Sequence, residues 1–282
     1  MIESLRAFLL IAEHGTLTGA ARHAHVTQPA LTATLRRLEE SFDARLFDRG
    51  RSGATLTEAG RALLPHARAA VVAADEGRRA VEALAKLEAG EVRIGGGASA
   101  CTYLLPPVLS AFRKRFPKVA LRLREAPEEL ALAAFEAGEL DIVVISGKRG
   151  ELFRHEQLVL VAAPHVVASE LPFVAFLPGS LVRATLDKKF PGAEITMELG
   201  SISTVKGAVR AGLGKALIGS SAVATDLALG RLVLVNDKRV PIARELRLVH
   251  RGLERLPPAA RALRAMLLAS RPAKARRAAG AS

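Results

Sequence analysis

The chain has 282 residues, half of them apolar, and carries 41 Lys and Arg against 28 Asp and Glu, a formal charge of +13. That length and apolar content exclude a disordered chain and allow two domains with a sizeable core, while the positive balance suits a polyanionic partner such as nucleic acid. A single cysteine, Cys101, excludes an internal disulfide framework and a multi-cysteine metal site and fits a reducing cytoplasm.

Leu5, Phe8, Leu9 and Ala12 recur at helical spacing over residues 4–13, and His14-Gly15-Thr16 ends that helix. The apolar run of residues 7–12 is short and bracketed by Glu3 and Glu13, which argues against a signal peptide. No apolar stretch reaches the roughly 18 residues that span a bilayer, so no membrane partner is expected. Thr18 is placed to cap a short second helix whose inner face is Ala20, Ala21 and Ala24.

Thr27 is placed to cap a third helix reaching about Ser41, and Pro29 falls in its first turn, where a missing N–H costs nothing. Leu31, Leu35 and Leu38 make its buried stripe, which leaves Gln28, Thr32, Ala33, Thr34, Arg36 and Arg37 outward. That face carries an amide, hydroxyls and guanidinium groups and no acid, which suits base edges and phosphates in the manner of a helix-turn-helix. Gln28 fits a bidentate contact to adenine and Thr32 a thymine methyl or a phosphate, the alternative for both being plain capping of the helix start. Arg36 and Arg37 read as phosphate clamps, although Glu39 and Glu40 stand where they can pair with Arg37.

Residues 46–57 hold two short extended pieces around a turn rich in Gly, Arg and Ser, a hairpin wing whose tip offers Arg49 and Arg51 to a nucleic-acid backbone. Thr57 then caps a long helix over residues 58–88, whose beginning Pro65 could kink. Leu63, Ala67, Ala70, Ala74, Gly77, Val81 and Leu84 alternate by three and four along it. Such a seam of small residues predicts a dimerisation helix, the alternative being packing on its own domain. Ala89-Gly90-Glu91 marks the domain boundary.

Beyond it the texture alternates. Strands are expected at 92–96, 119–124, 140–145, 158–163, 173–176, 194–198, 216–219, 232–235 and 246–250, and helices at 102–116, 128–137, 181–189, 204–211, 221–227 and 257–268. This is an α/β pattern with parallel sheets. Residues 271–282 place Arg271, Lys274, Arg276 and Arg277 among Ala, Gly and Ser, a disordered basic tail that solubilises rather than clamps DNA.

In order and spacing these residues resemble the LysR-type transcriptional regulators over nearly the whole chain. In the first part the resemblance rests on Ala12-Glu13-His14-Gly15-Thr16, Ala20-Ala21, Thr27-Gln28-Pro29-Ala30-Leu31-Thr32, Leu46-Phe47-Asp48-Arg49 and Leu56-Thr57-Glu58-Ala59-Gly60. In the second it rests on Gly90-Glu91-Val92-Arg93-Ile94-Gly95, Leu105-Pro106, Phe116-Pro117-Lys118-Val119, Gly138-Glu139-Leu140-Asp141-Ile142-Val143, Ala211-Gly212-Leu213-Gly214 and Gly230-Arg231-Leu232-Val233.

The resemblance implies an α/β protein with an N-terminal all-α winged helix-turn-helix (1–57), a linker and dimerisation helix (58–90) and a C-terminal two-lobed, periplasmic-binding-protein-like domain (91–270). Lobe I would comprise 91–160 and 246–270, and lobe II 161–245, with a small effector bound between them. It further implies a homodimer or homotetramer on double-stranded DNA with Gln28, Pro29 and Thr32 at the groove. Ala33 departs from a polar contact residue common in the family, and Thr16 and Thr32 stand where serine is common.

The effector cleft should collect helix N-termini, because oriented N–H groups favour anions. Ser99 and Thr102 in the first lobe and Ser203 and Thr204 in the second each stand near a helix start and match the family's cleft positions in order. Ser146 and Ser180 follow strands and could add hydroxyls; for each of these groups an ordinary N-cap is the alternative. Glu125-Ala126-Pro127 occupies a place where the family often offers Thr or Ser, and Glu125 would repel a carboxylate unless it points away, so anionic and neutral effectors both stay open.

Cys101 beside a helix start reads as a packed side chain rather than an oxidant sensor, since no resolving cysteine accompanies it. The seven histidines, including His14, His23 and His25, form no metal-ligand spacing, and neither a nucleophile elbow nor a P-loop is present. No catalytic residue, metal or cofactor is therefore expected. One alternative remains: Gly95-Gly96-Gly97-Ala98-Ser99-Ala100 fits a dinucleotide turn with Glu125 as the ribose acid, the pattern of an NAD(P)-dependent oxidoreductase with a DNA-binding head. Pro106 and Pro107 speak against it by delaying the helix beyond the glycine turn. A bare solute-binding protein is a third reading, disfavoured because no export signal precedes the domain.

Overall fold

The computed structural model describes residues 1–50, 53–85, 90–167 and 171–270. The chain divides into two compact units, Met1–Ala85 and Lys86–Ser282.

The first unit runs α1 (Ile2–His14), α2 (Leu17–His23), α3 (Gln28–Phe42), β1 (Phe47–Gly50), β2 (Gly53–Leu56) and α4 (Glu58–Ala85). Phe8 and Ile11 of α1, Ala20 and Ala21 of α2, and Leu31, Leu35 and Leu38 of α3 bury their apolar faces in one core with Leu46 and Phe47. Gly15 ends α1 in a left-handed conformation at φ 65°. The chain turns back at once, so the cap of α2 is Thr16, whose hydroxyl accepts from the Gly19 N–H at 3.1 Å. This corrects the expectation of Thr18, which lies inside the helix. The antiparallel wing β1–β2 is anchored at its base, where the Ala54 N–H donates to the Gly15 carbonyl at 2.7 Å. A Cβ on Gly53 (φ 121°) would sit 2.4 Å from that oxygen, so the position requires glycine for both conformation and space.

The long helix α4 corrects the expected dimer seam in part. Ala67 is fully buried, and Leu63 and Ala70 pack beside it on the unit's own core. Arg6 of α1 also pairs with Asp75. The small side chains that were expected to receive a partner helix instead let α1 approach. What remains for a partner is the later part: Ala74 is half-buried and Val81 is 67% exposed. The side chain of Leu84 lies outside the described residues, and Pro65 is accommodated within a helix that continues past it.

The second unit begins with β3 (Glu91–Gly96) and a π-type turn, Ala100–Leu104. Then follow α5 (Leu105–Arg115), β4 (Ala120–Glu125), α6 (Glu128–Glu136), β5 (Ile142–Ser146), β6 (Glu151–Ala162), β7 (Phe173–Phe176) and α7 (Leu181–Lys189). Next come β8 (Ile195–Leu199), α8 (Ile202–Arg210), β9 (Ala216–Gly219), α9 (Ser220–Ala228), β10 (Val233–Leu234), β11 (Ile242–Val249) and α10 (Pro258–Ala269). The expected helix 102–116 is thus broken: the π-type turn precedes an α5 that starts with Pro106 in its first turn.

The sheet is mixed rather than parallel. Strands β3, β4 and β5 pair in parallel, whereas β11 runs antiparallel to both β5 and β6, and β6 antiparallel to β9 and β10. A parallel β7–β8 pair adjoins β9 through the Phe173–Lys215 bridge. Around β3, β4 and β5 gathers one core, with Leu105, Phe112 and Leu263 from α5 and α10. Around the far half of β6 and β9 gathers another, with Val205, Val209 and Val223 from α8 and α9. These two bodies form two lobes, and β6 and β11 cross from one to the other.

Both crossing strands begin earlier than expected, at Glu151 rather than 158 and at Ile242 rather than 246. Their added segments are charged, which conceals strand character. The antiparallel register sets those charges opposite one another, Glu156 facing Arg244 and His155 facing Glu245.

Candidate functional site

The outer face of α3 is built by its inner one. Leu31, Leu35 and Leu38 are almost wholly buried, and the helical repeat therefore turns Gln28, Pro29, Ala33, Arg36 and Arg37 to solvent, with Thr32 and Thr34 partly covered. Thr27 caps the helix, accepting from the Ala30 N–H at 3.4 Å. Gln28 is left with an exposed amide, so capping is not its task. The Thr32 hydroxyl donates to the Gln28 carbonyl at 2.8 Å and the Thr34 hydroxyl to the Ala30 carbonyl at 3.0 Å, which fixes both rotamers and turns the Thr32 methyl elsewhere.

Arg36, not Arg37, takes the acidic partner: its Nε lies 2.9 Å from Glu40 Oε1. Arg37 folds back on the Ala33 carbonyl and the Thr34 hydroxyl. Glu39 accepts from the Leu46 N–H at 2.8 Å and so ties α3 to the base of the wing. Of the wing residues, the Arg49 side chain and Arg51 lie outside the described residues, as does the tail with Arg271, Lys274, Arg276 and Arg277.

In the second unit the expected cleft hydroxyls divide into two groups. Ser180 caps α7, accepting from the Arg183 N–H at 3.1 Å. Thr204 serves the start of α8: its hydroxyl donates to the Ser201 carbonyl at 2.9 Å, and Ser201 is the cap, a residue the sequence reading passed over. Thr102 donates to Glu125 Oε2 at 3.4 Å, so the Glu125 carboxylate faces this hydroxyl rather than pointing away. The hydroxyls of Ser99, Ser146 and Ser203 make no hydrogen bond among the described residues. Beside Ser146, whose N–H donates to Glu128 at 2.9 Å, the local charge is negative.

Ser99 also marks where the two lobes meet. A Cβ on Gly219, at the end of β9, would lie 3.2 Å from Ser99 Oγ, 2.9 Å from Glu156 Oε1 and 3.1 Å from Arg244 Nη2. Glycine at 219 lets the strand end close onto a buried ion pair. Glu156 is 5% exposed and receives Arg244 Nε at 2.8 Å and the Ser221 hydroxyl. No local pattern signals this cluster, because its members come from β6, β11 and the start of α9.

Cys101 is buried, and its thiol donates to the Gly96 carbonyl at 3.3 Å. Burial first, and the Glu125 charge second, push the thiol up to about 12, which keeps it protonated and unreactive. The glycines ahead of it are explained by packing. A Cβ on Gly95 would meet Leu140 at 2.5 Å and one on Gly96 the Val144 carbonyl at 2.9 Å, so they serve strand contact rather than a pyrophosphate. Among the described residues no group of three or more acidic, His or Cys side chains could hold a metal, and no helix is long and apolar enough to cross a membrane.

A helix-turn-helix unit with a wing, followed by a two-lobed α/β unit with strands crossing between the lobes, defines a ligand-responsive DNA-binding regulator. Residues 2–61 match the family model of the bacterial regulatory helix-turn-helix proteins of the lysR family, and residues 85–271 match that of the LysR substrate-binding domain. The chain belongs to the LysR family: it is a transcriptional regulator with a DNA-binding and an effector-binding domain, not an enzyme.

Among its relatives is a probable RuBisCO transcriptional regulator of Gracilaria tenuistipitata, 31% identical over 88% of this chain and 89% of that one. The regulator CbbR of Rhodospirillum rubrum is 30% identical over 95% of this chain and 96% of its own. Solved structures share the fold. A full-length OxyR variant from Pseudomonas aeruginosa has a TM-score of 0.64 at 20% identity, covering 96% of this chain and 97% of its own. Vibrio fischeri DarR in complex with DNA has a TM-score of 0.57 at 21% identity, covering 95% and 98%.

Proposed function

We propose that this regulator binds operator DNA in the cytoplasm as a homodimer or homotetramer, reads bases through Gln28 and Thr32, and answers to a small molecule held between its lobes. The observation that carries the DNA contact is the acid-free, solvent-facing surface of α3 around Gln28, held outward by the buried leucine stripe. Arg36, Arg37, Arg49 and Arg51 would meet phosphates, with Thr34 and Pro29 at the groove edge. The effector would contact the unpartnered hydroxyls of Ser99, Ser146 and Ser203, while Thr102, Ser180 and Thr204 position the surrounding turns. Glu125 beside Thr102 weighs against a carboxylate at that end of the cleft. An effector acts by binding the closed and open lobes with different affinity, which then changes how the subunits sit on DNA.

The cognate operator is first isolated by selection from random duplexes. Gln28→Ala with Thr32→Ala should then lower affinity for it far more than for random DNA, by about 1–3 kcal/mol per base contact. Equal losses on both duplexes would leave only phosphate contact and overturn base reading. Dimerisation through the later half of α4 is tested separately with Ala74→Glu. Sedimentation should show monomers and operator affinity should fall by about 10²–10⁴, since two linked half-sites bind by effective concentration. An unperturbed dimer would move the interface off α4.

A further inference from the structure

A second pocket, of about 610 Å³, lies against the crossing strand β6. Leu104, Pro107 and Val108, at the start of α5, give it an apolar wall. Ser220 and Ser221 at the start of α9 and Arg154 of β6 give it a polar one. It contains none of Ser99, Thr102, Ser146, Ser180, Ser203 and Thr204, so it is a different place from the cleft proposed for the effector.

Arg154 is what makes this pocket unusual. Other arginines on and around the crossing strands each have a carboxylate: Arg244 has Glu156, Arg247 has Glu245 and Arg264 has Glu151. Arg154 forms no ion pair or hydrogen bond among the described residues, and its Nε is buried without a partner. Its guanidinium lies over the Phe153 ring, 5.2 Å from the centroid, a contact that leaves the N–H donors unused. Burial lowers its pKa from the usual arginine value, the sign of a cation held where water solvates it poorly. Glu156 lines the same pocket but is already engaged by Arg244 and Ser221. A buried donor left unmatched is costly to keep, and an incoming anion would satisfy it.

We propose that this pocket binds a small monocarboxylate with an apolar body, the carboxylate on the Arg154 guanidinium and the hydroxyls of Ser220 and Ser221, the body against Leu104, Pro107 and Val108. A single charge is favoured over two because the Glu156 carboxylate lines the same space. The free N–H groups at the start of α9, whose cap Gly219 offers no side chain, add donors on the same side. This site goes beyond the effector cleft and does not depend on it.

The test is calorimetric titration of the full-length protein with acetate, hexanoate, phenylacetate and the neutral hexanamide. Hexanoate or phenylacetate should bind, acetate more weakly for want of a body, and hexanamide more weakly for want of a charge. Arg154→Met should weaken carboxylate binding by roughly tenfold to a hundredfold, the scale of a hydrogen bond to a charged group. It should melt no lower than the parent, since it removes an unpaired buried cation. Ser203→Ala should leave binding unchanged. Ala224→Phe, at an exposed position of α9 that lines the pocket, fills the space without touching Arg154 and should abolish binding even if Arg154→Met fails to fold. No carboxylate binding at millimolar concentration overturns the proposal. So does equal binding of hexanamide, undiminished binding by Ala224→Phe, or a loss in Ser203→Ala alone. A change of sedimentation in Arg154→Met with hexanoate binding intact would make the pocket an interface between copies and would also overturn it.

Discussion

Two ion pairs separate the two halves of this regulator. Arg36 and Glu40 lie one helical turn apart on α3, with side chains 78% and 59% exposed. Arg244 and Glu156 lie 88 residues apart, on β11 and β6, with side chains 13% and 2% exposed. The first pair is screened by water and can be released when a phosphate arrives. The second has no water to fall back on, and each partner depends on the other. A surface that must exchange partners keeps its charges exposed and local, whereas a junction that must hold two lobes in register buries them and takes them from distant segments.

Breaking the buried pair should give the larger effect. Arg244→Met leaves the Glu156 carboxylate buried with only the Ser221 hydroxyl near it, and should cost about 3–5 kcal/mol of stability in urea unfolding of the second unit. Glu156→Met combined with Arg244→Met removes both charges and should recover much of that loss, because well-packed apolar side chains often replace a buried pair at no net cost. If the single and double variants lose the same amount, the pair holds nothing that packing does not, and the contrast with Arg36 and Glu40 collapses.

The same contrast governs what the sequence discloses. The recognition helix is legible because everything that defines it is short-range: a cap at Thr27, Pro29 in the first turn, and Leu31, Leu35 and Leu38 on one face. Even there, the sequence points to a cap of α2 two residues late, since the sharp turn at Gly15 depends on backbone conformation. The family resemblance carries the order of the two units and the two-lobed plan. The crossing strands are legible only in their apolar ends. Arg154, His155 and Glu156 on one strand and Arg244 and Glu245 on the other read as loop, because their partners are not neighbours in sequence. The seam of α4 shows a third limit. A run of small residues at helical spacing says that something packs closely, but not that Ala67 meets α1 of its own unit. Ser99 stands out by its place before a helix, yet its approach to Gly219 and to the Glu156–Arg244 pair needs the fold.

The smallest change in stability, and a clear one in function, is expected at Arg36. Arg36→Ala removes an exposed pair worth about 0–1 kcal/mol, so the melting of the first unit should barely move. The same change removes one phosphate neutraliser from the DNA-facing surface. A plot of log affinity against log salt should therefore flatten by about 0.9, the counterion released per phosphate contact. The loss should be uniform across operator and random duplexes, because phosphate contact carries no sequence information. Glu40→Ala supplies the opposite sign: it removes the competing carboxylate while keeping Arg36, so binding should tighten slightly with the salt slope preserved. A stability loss at Arg36 as large as that at Arg244, or an Arg36→Ala salt slope identical to the parent's, would mean that the exposed pair serves the fold and not the DNA.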